Sequence, residues 1–184
     1  MERVAGFGAP AQVSRVRHET VAMFVVMNAE AGWRTNRTTP PAWEYLAARQ
    51  VNSFLAYMTL IDIIGGYELP ASLYAHPPVR RTTMLAASAS IILNDLYSMA
   101  EEAEPGIGDG GLPHVIAAER GCPLREAIDL SAAYHDELVR SFETAHTELC
   151  ATIASLELWR YLSGLRAWLG GSHEWHATTG RYAS

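Results

Sequence analysis

The sequence has 184 residues, of which 49% are hydrophobic and only 18% are charged, a composition that excludes an intrinsically disordered chain. The net charge is −6 and every basic residue is an arginine, without any basic run, which argues against nucleic acid or an anionic membrane surface as a partner. The longest apolar stretch, residues 84–93, is shorter than the roughly 20 residues of a membrane-spanning helix, and no signal peptide is evident, so we expect a cytoplasmic protein.

Apolar residues recur at helical spacing along nearly the whole sequence, and no segment alternates with the period of two that marks a strand. Proline and glycine pairs, among them Gly65–Gly66 and Gly170–Gly171, are expected to end helices. Six helices are predicted, at about Gln12–Trp33, Ala42–Ile64, Val79–Glu104, residues 112–121, Pro123–Thr152 and Ala154–Leu169. Residues 172–184 are predicted to form a loop. The sequence therefore predicts an all-α chain of one domain or part of one.

The third predicted helix carries the segment that is most informative about chemistry. Its residues Asn94, Ser98 and Glu102 follow one another at intervals of four, so their side chains lie along one side of the helix. An amide oxygen, a hydroxyl and a carboxylate are hard oxygen ligands of the kind that Mg²⁺ prefers. The alternative interpretation of this spacing alone is a polar stripe on a solvent-exposed helix face.

In full, residues 94–102 read Asn-Asp-Leu-Tyr-Ser-Met-Ala-Glu-Glu and resemble the Asn-Asp-x-x-Ser-x-x-x-Glu motif of class I terpene synthases. In that family the Asn, Ser and Glu of the motif chelate one of three Mg²⁺ ions that hold the substrate diphosphate. The resemblance therefore implies that Asn94, Ser98 and Glu102 are ligands of a Mg²⁺ ion. It also implies a fold, namely the C-terminal helices of the family's all-α bundle.

Two further segments match the same family. Arg181 and Tyr182 correspond to an Arg-Tyr pair whose members hydrogen-bond the diphosphate, and a guanidinium suits phosphate oxygens through paired charge-assisted bonds. Upstream, Arg49 aligns with an arginine that senses the diphosphate, Asn52 with a linker residue, and Ser53 with an effector whose carbonyl faces the substrate at a kink in the helix. The linker is often Asp and the effector often Gly, so this match is looser. An arginine on a solvated helix surface is the alternative interpretation of Arg49.

Within the family, the resemblance is to 2-methylisoborneol synthases, which cyclise 2-methylgeranyl diphosphate. It rests on residues 49–54 (Arg-Gln-Val-Asn-Ser-Phe), 66–70 (Gly-Tyr-Glu-Leu-Pro) and 171–176 (Gly-Ser-His-Glu-Trp-His). It covers the chain from about residue 12 onward. The activity that it implies is the Mg²⁺-dependent ionisation and cyclisation of a prenyl diphosphate, such as 2-methylgeranyl diphosphate, to 2-methylisoborneol.

Ionisation of an allylic diphosphate leaves a carbocation, which the faces of aromatic rings stabilise through their quadrupoles. Phe54, Tyr57, Trp159 and Trp175 are the candidates for this role. Trp175 is the strongest of them, because it lies shortly before the Arg-Tyr pair. For the other three, ordinary packing between helices is the favoured interpretation.

The chain also departs from the family in two respects. The family's first metal motif is an aspartate-rich segment on an earlier helix, whereas this sequence contains no Asp-Asp pair. We therefore expect residues 1–184 to be the C-terminal part of a terpene synthase domain, without the aspartate-rich half, and to have little or no activity alone. In addition, Glu101 stands where many members carry a Lys or Arg that contacts diphosphate, and its negative charge opposes that ligand.

Two hypotheses of function remain open at this point. The first is a fragment of a terpene cyclase, with Mg²⁺ as cofactor and a prenyl diphosphate as substrate. The second is a non-catalytic helical module for binding or assembly, because half a bundle exposes a surface that is interior in the complete domain. Its partner would be a separately encoded N-terminal half or a second copy in a homodimer.

Overall fold

The fold is entirely helical in the part of the chain that the structure describes, namely residue 4 and residues 6–52, 54–99 and 111–179 of a computed structural model. Its helices are α1 (Pro10–Asn36), α2 (Ala42–Val51), α3 (Leu55–Met58), α4 (Ile61–Ile64), α5 (Ala71–Tyr74), α6 (Pro77–Ser98), α7 (Gly111–Arg120), α8 (Leu124–Thr152) and α9 (Leu156–Thr178). No strand occurs among these residues, which confirms the predicted fold class. None of the described helices is long and apolar enough to cross a membrane.

Helix α6 is the central element of the bundle and contacts α2, α7, α8 and α9. It begins with two prolines, which the first turn of a helix accepts because backbone N–H groups there have no partner within the helix. The small side chains of Ala86, Ala87 and Ala89 are completely buried, and their size allows the neighbouring helices to approach closely. The C-terminal end of α6 therefore has a fixed position relative to the surrounding helices.

Two apolar clusters hold α6 in place. One lies towards α8 and α9 and includes Phe142, Tyr161 and Leu162. The other lies towards α2, α7 and α8 and includes Tyr45 and Leu112. Full burial of a side chain such as Leu or Phe contributes about 1.5–3 kcal/mol, so the two clusters supply most of the force that assembles the helices.

The first, fourth and fifth predicted helices are confirmed to within a few residues as α1, α7 and α8. Helix α1 ends where Arg37 adopts a left-handed conformation with φ of 52°. Helix α6 begins two residues before the predicted start. The predicted continuation of this helix to Glu104 falls largely on residues 100–110, which lie outside the described part of the chain.

The prediction of one continuous helix from Ala42 to Ile64 was wrong, because three helices occupy this segment. Helix α2 ends at Val51, and the ψ of 48° at the next residue, Asn52, is far from the helical value. Neither glycine nor proline marks the break, which is why apolar spacing alone did not reveal it. Leu55 and Met58 of the following α3 are buried in the core, and this tertiary burial favours the change in chain direction.

The prediction that the last helix ends at Leu169 was also wrong, because α9 continues to Thr178 and includes most of the predicted loop. Glycine costs about 1 kcal/mol relative to alanine inside a helix, which is too little to end a helix that is otherwise anchored. The anchor here is His176, which is 4% exposed. By contrast, Gly66 adopts a positive φ of 67° just after α4, and there the glycine pair does end the helix.

Candidate functional site

Asn94 and Ser98 lie one helical turn apart at the C-terminal end of α6, and both side chains are half-buried. Ile91 and Ile92 are buried just before them and fix this part of the helix in the core. The third predicted ligand, Glu102, lies outside the described residues. The described pair thus presents an amide and a hydroxyl, two of the hard oxygen ligands of the predicted set, on one side of α6.

The side-chain amide of Asn94 contacts His176, a residue of α9 for which the sequence predicted a loop. Asn94 Nδ2 lies 3.2 Å from His176 Nε2. The other ring nitrogen, Nδ1, lies 2.7 Å from the backbone carbonyl oxygen of Ser172, one turn earlier in α9. The rings of Tyr97 and Trp175 pack against the imidazole at centroid distances of 5.3 and 4.9 Å. The last turns of α9 therefore lie directly against the motif on α6.

Asp95, the next residue of the motif, points away from Asn94 into a buried network and is 3% exposed. Its Oδ1 accepts a hydrogen bond of 2.6 Å from Nη2 of Arg49. Its Oδ2 accepts hydrogen bonds from the Tyr45 hydroxyl at 2.8 Å and from the Leu112 backbone N–H at 3.1 Å. One carboxylate thus joins α6 to α2 and α7, and both of its oxygens are engaged.

The charges around Arg49 form a compact group. Burial by itself would lower the pKa of the guanidinium, but attraction to Asp95, and then to Tyr45 and Glu30, gives a net rise above the ordinary value. Burial raises the pKa of Tyr45, and the Asp95 carboxylate raises it further. Glu30 of α1 lies 3.9 Å from Arg49 Nη1. Arg49 therefore stays cationic and lies between two carboxylates.

A cavity of about 420 Å³ lies beside the motif. Its wall is mainly aromatic and small, and is formed by Phe54, Asn94, Trp168, Gly171, Ser172, Trp175 and His176. The rings of Phe54 and Trp168 pack against each other at a centroid distance of 5.6 Å. The cavity thus combines an apolar aromatic lining with one predicted metal ligand, Asn94. His176, whose imidazole contacts the Asn94 amide, also lines the cavity.

The predicted aromatic residues occupy different places. Phe54 and Trp175 line the cavity, and Tyr57 packs against Phe54 at 6.3 Å while remaining half-exposed. Trp159 does not line this cavity: its indole N–H donates a hydrogen bond to the carbonyl of Ile153, and its ring lies in a separate surface groove. Trp159 is 41% exposed, so it neither lines the cavity nor is buried between helices.

Of the remaining predicted residues, Asn52 belongs to the described part of the chain. Asn52 is the C-cap of α2, so the helix ends at the position where the resemblance implies a kink. Ser53, Glu101, Arg181 and Tyr182 lie outside the described residues. The sequence therefore remains the basis for their predicted roles.

Trp168 and His176 line the cavity, although neither was predicted as a site residue from the sequence. The signal was present, because Trp168, Ser172 and Trp175 follow one another at intervals of four and three along one helix face. The glycine pair between them concealed the pattern. The structural role of Asp95 was also missed, since its partner Arg49 lies 46 residues earlier in the chain.

Comparisons with known proteins agree with these features. The family described as terpene synthase family 2, C-terminal metal binding, matches residues 1–141. The 2-methylisoborneol synthase of Saccharopolyspora erythraea is 42% identical over 182 residues, which are 99% of this chain and 51% of that protein. The 4-epi-cubebol synthase of Streptosporangium roseum, which cyclises (2E,6E)-farnesyl diphosphate, is 28% identical and covers 98% of this chain and 54% of its own length.

A crystal structure provides the same comparison in three dimensions. The 2-methylisoborneol synthase from Streptomyces coelicolor A3(2), in complex with Mg²⁺ and geranyl-S-thiolodiphosphate, superposes with a TM-score of 0.91 at 39% identity, over 96% of this chain and 56% of that chain. The predicted fold, a part of the class I terpene synthase bundle, is thereby confirmed. The chain spans about half the length of the relatives that it matches.

Proposed function

The chain belongs to terpene synthase family 2, and from this premise we propose that it is the C-terminal part of a terpene cyclase domain. In the complete enzyme it would take part in the Mg²⁺-dependent ionisation and cyclisation of a prenyl diphosphate, such as 2-methylgeranyl diphosphate, to 2-methylisoborneol. The observation that carries the proposal is the aromatic cavity beside α6, because its wall contains Asn94 of the metal motif. An apolar aromatic wall suits a carbocation, and capture of the last cation by a water molecule would supply the oxygen of the alcohol.

Asn94, Ser98 and Glu102 are the proposed Mg²⁺ ligands. The described members of this set fit the ion, because an amide oxygen and a hydroxyl one helical turn apart are hard donors on one side of α6. Asp95 has a different role, since Arg49, Tyr45 and the Leu112 N–H engage its carboxylate. When bound, Mg²⁺ would neutralise the charge that develops on the departing diphosphate.

Arg49, Arg181 and Tyr182 are the proposed diphosphate-binding residues. A guanidinium carries five N–H donors, and Arg49 uses Nη2 to bind Asp95. Its Nε–H is buried and has no hydrogen-bond partner among the described residues. A buried donor without a partner costs about 1–3 kcal/mol, so a phosphate oxygen that reached it would gain both a hydrogen bond and a charge pair.

Four residues are proposed to be catalytic, three of them on the segment around the end of α2. Arg49 senses the diphosphate, Asn52 is the linker, and Ser53 is the effector whose carbonyl faces the substrate. Trp175, which lines the cavity, offers its ring face to the carbocation. The end of α2 at Asn52 supports the first three assignments, because a change of chain direction frees backbone carbonyls from the helix.

The proposal is tested by calorimetry of inorganic diphosphate binding to the 184-residue chain, with and without Mg²⁺. Binding is expected only with Mg²⁺, and it is expected to be lost in the Asn94→Ala/Glu102→Ala variant. Glu137→Ala removes an exposed carboxylate of α8 and serves as the matched control, which should bind as the wild type does. A folded chain that binds no diphosphate with Mg²⁺ present would contradict the proposed site.

Little or no turnover is expected from the chain alone, since it spans about half the length of its relatives. The direct measurement is product analysis after incubation with 2-methylgeranyl diphosphate and Mg²⁺. A cyclised product in amounts above the Asn94→Ala/Glu102→Ala control would contradict the expected inactivity and would support the cyclase assignment.

A second candidate function is assembly with another chain, and a specific surface favours it. Val21, Phe24 and Val25 lie on one face of α1 and are between 57% and 64% exposed. Adjacent exposed apolar side chains of this size are typical of interfaces. The proposed occupants are an N-terminal half of the bundle or a second copy of the chain.

Sedimentation velocity over the micromolar range distinguishes these occupants. A homodimer should be seen with the wild type and lost in Phe24→Glu, whereas a well-behaved monomer at all concentrations would contradict the homodimer. Complementation by a separately expressed N-terminal half of a relative would then test the other occupant, with Phe24→Glu as the variant that should fail.

A further inference from the structure

We infer that His176 is a positioning residue for the metal ligand Asn94, and that it turns the amide oxygen of Asn94 towards the ion. The inference rests on the proposed Mg²⁺ site and extends it to a residue on a different helix. Three groups form a hydrogen-bonded chain here, the backbone carbonyl of Ser172, the imidazole of His176 and the amide of Asn94.

The neighbours of the imidazole determine which of its two ring nitrogens carries the proton. His176 Nδ1 lies 2.7 Å from the carbonyl oxygen of Ser172, and a carbonyl oxygen only accepts hydrogen bonds. Nδ1 must therefore carry a proton. In a neutral imidazole the other nitrogen, Nε2, then has a lone pair and acts as an acceptor.

The orientation of Asn94 follows in turn. Nε2 as an acceptor requires a donor opposite it, and the amide nitrogen Nδ2 of Asn94, at 3.2 Å, is such a donor. The two ends of a planar amide point in different directions, so the contact that fixes Nδ2 also fixes Oδ1. Oxygen is the end of the amide that binds Mg²⁺. A reversed amide would present N–H groups to a cation.

The surroundings hold the imidazole rigidly enough for this purpose. His176 is 4% exposed, and the rings of Tyr97 and Trp175 pack against it. Its carbonyl partner lies one turn earlier in the same helix, so the ring cannot rotate without loss of that hydrogen bond. Residues that orient a metal ligand in this way typically change metal affinity about 10- to 100-fold when they are replaced.

Two substitutions separate positioning from packing. His176→Phe keeps an aromatic ring against Tyr97 and Trp175 but removes the acceptor. His176→Gln removes the ring but keeps a side-chain oxygen that can accept from Asn94. Mg²⁺-dependent binding of inorganic diphosphate, measured by calorimetry, is expected to weaken about 10- to 100-fold in His176→Phe and to be largely retained in His176→Gln.

The outcomes are distinct. If the wild type binds and His176→Phe binds equally well, or if His176→Gln is the weaker variant, the positioning role is wrong while the proposed site stands. If the wild type binds no diphosphate with Mg²⁺, the proposed site itself fails, and the inference fails with it.

A metal-free measurement covers the case in which His176→Phe does not fold. In the ¹⁵N NMR spectrum of the neutral wild-type imidazole, assigned by comparison with His176→Gln, we expect the proton on Nδ1 and the lone pair on Nε2. A protonated Nε2 with an unprotonated Nδ1 would require the reversed amide and would overturn the inference without any metal present.

Discussion

The guanidinium of Arg49 lies 2.6 Å from the carboxylate of Asp95, the residue that directly follows the proposed metal ligand Asn94. This contact connects the proposed diphosphate sensor on α2 with the metal motif on α6. Both groups are largely buried, with side-chain exposures of 19% for Arg49 and 3% for Asp95. The spacing between the two proposed binding elements therefore depends on this ion pair and its supporting hydrogen bonds, together with the apolar cluster between α2 and α6.

Replacement of Asp95 should be costly for this reason. Asp95→Asn leaves the guanidinium without its nearest counter-charge, and the loss of one partner of a buried pair destabilises a protein by about 3–5 kcal/mol. The measurement is the free energy of unfolding in urea. The Arg49→Met/Asp95→Asn double variant should recover part of the loss, because it no longer contains the unpaired cation.

A matched control exists in α8, where Arg140 and Glu137 form a pair at 2.9 Å with both side chains more than 60% exposed. Glu137→Gln is expected to change the unfolding free energy by about 0.5 kcal/mol or less, since water screens this pair. Equal costs for Asp95→Asn and Glu137→Gln would show that the buried pair does not hold α2 against α6.

Gly111 is expected to be essential for the same network. It adopts a φ of 64°, and a Cβ atom at this position would lie 2.8 Å from Cβ of Asp95. Gly121 has a φ of 62° but open space around it. Gly121→Ala should therefore cost about 1–2 kcal/mol for the left-handed backbone alone. Gly111→Ala should cost clearly more, as the added methyl group also displaces Asp95.

Thermal unfolding of the two variants provides the test, and the difference between them isolates the contact with Asp95 from the backbone conformation. Similar melting temperatures for Gly111→Ala and Gly121→Ala would mean that α7 moves aside without loss. The close approach of Gly111 to Asp95 would then have no energetic significance.

The parts of the site that sequence could predict are those whose determinants lie close together in the chain. Asn94 and Ser98 are four residues apart on one helix, so their common side follows from helical geometry alone. The partners of Asp95 and Asn94 were not predictable in this way. Arg49 lies 46 residues before Asp95, and His176 lies 82 residues after Asn94, so both contacts arise only when the helices pack.

The same distinction explains the errors in the helix boundaries. Gly65–Gly66 ends a helix because Gly66 adopts a positive φ, a conformation that the local sequence permits. The break at Asn52 has no such local signal and depends on the burial of Leu55 and Met58. Sequence therefore determined the number of long helices, whereas tertiary burial determined where two of them end.

Stability should decrease at high pH because of two tyrosines, the partly buried Tyr67 and the buried Tyr74. Burial raises the pKa of Tyr67 to about 12 and that of Tyr74 to about 12, from an ordinary value of 10.0. In the unfolded chain these phenols lose their protons near pH 10, so above that pH the unfolded state binds fewer protons than the folded state. These tyrosines therefore leave the free energy of unfolding unchanged below about pH 10, and they lower it progressively between about pH 10 and 12.

Tyr74→Phe provides the test of this linkage. It should lower the free energy of unfolding at pH 8 by about 1 kcal/mol, since Arg80 Nη1 loses the hydrogen bond of 2.7 Å that it donates to the phenol oxygen. It should also make the free energy of unfolding fall less steeply above pH 10, because the variant lacks one phenol whose pKa differs between the folded and unfolded states. Urea unfolding at several pH values measures both effects, and an unchanged slope would show that Tyr74 does not contribute to the alkaline loss.

The continuation of α9 through its glycine pair leads to a stabilising substitution. Gly170 is exposed, lies inside the helix and has open space where a Cβ atom would be added. Gly170→Ala should therefore raise the free energy of unfolding by about 0.5–1 kcal/mol, because alanine loses less backbone entropy in a helix.

Gly164 is the matched control in the same helix, since a Cβ atom there would clash with Ile61 and destabilise the fold. If the helix instead ended at the glycine pair, as the sequence alone suggested, and Gly170 were left-handed there, Gly170→Ala would be destabilising. The sign of the change in urea unfolding thus decides between a helix that reaches the cavity and one that ends at Leu169, and only the first brings His176 to Asn94.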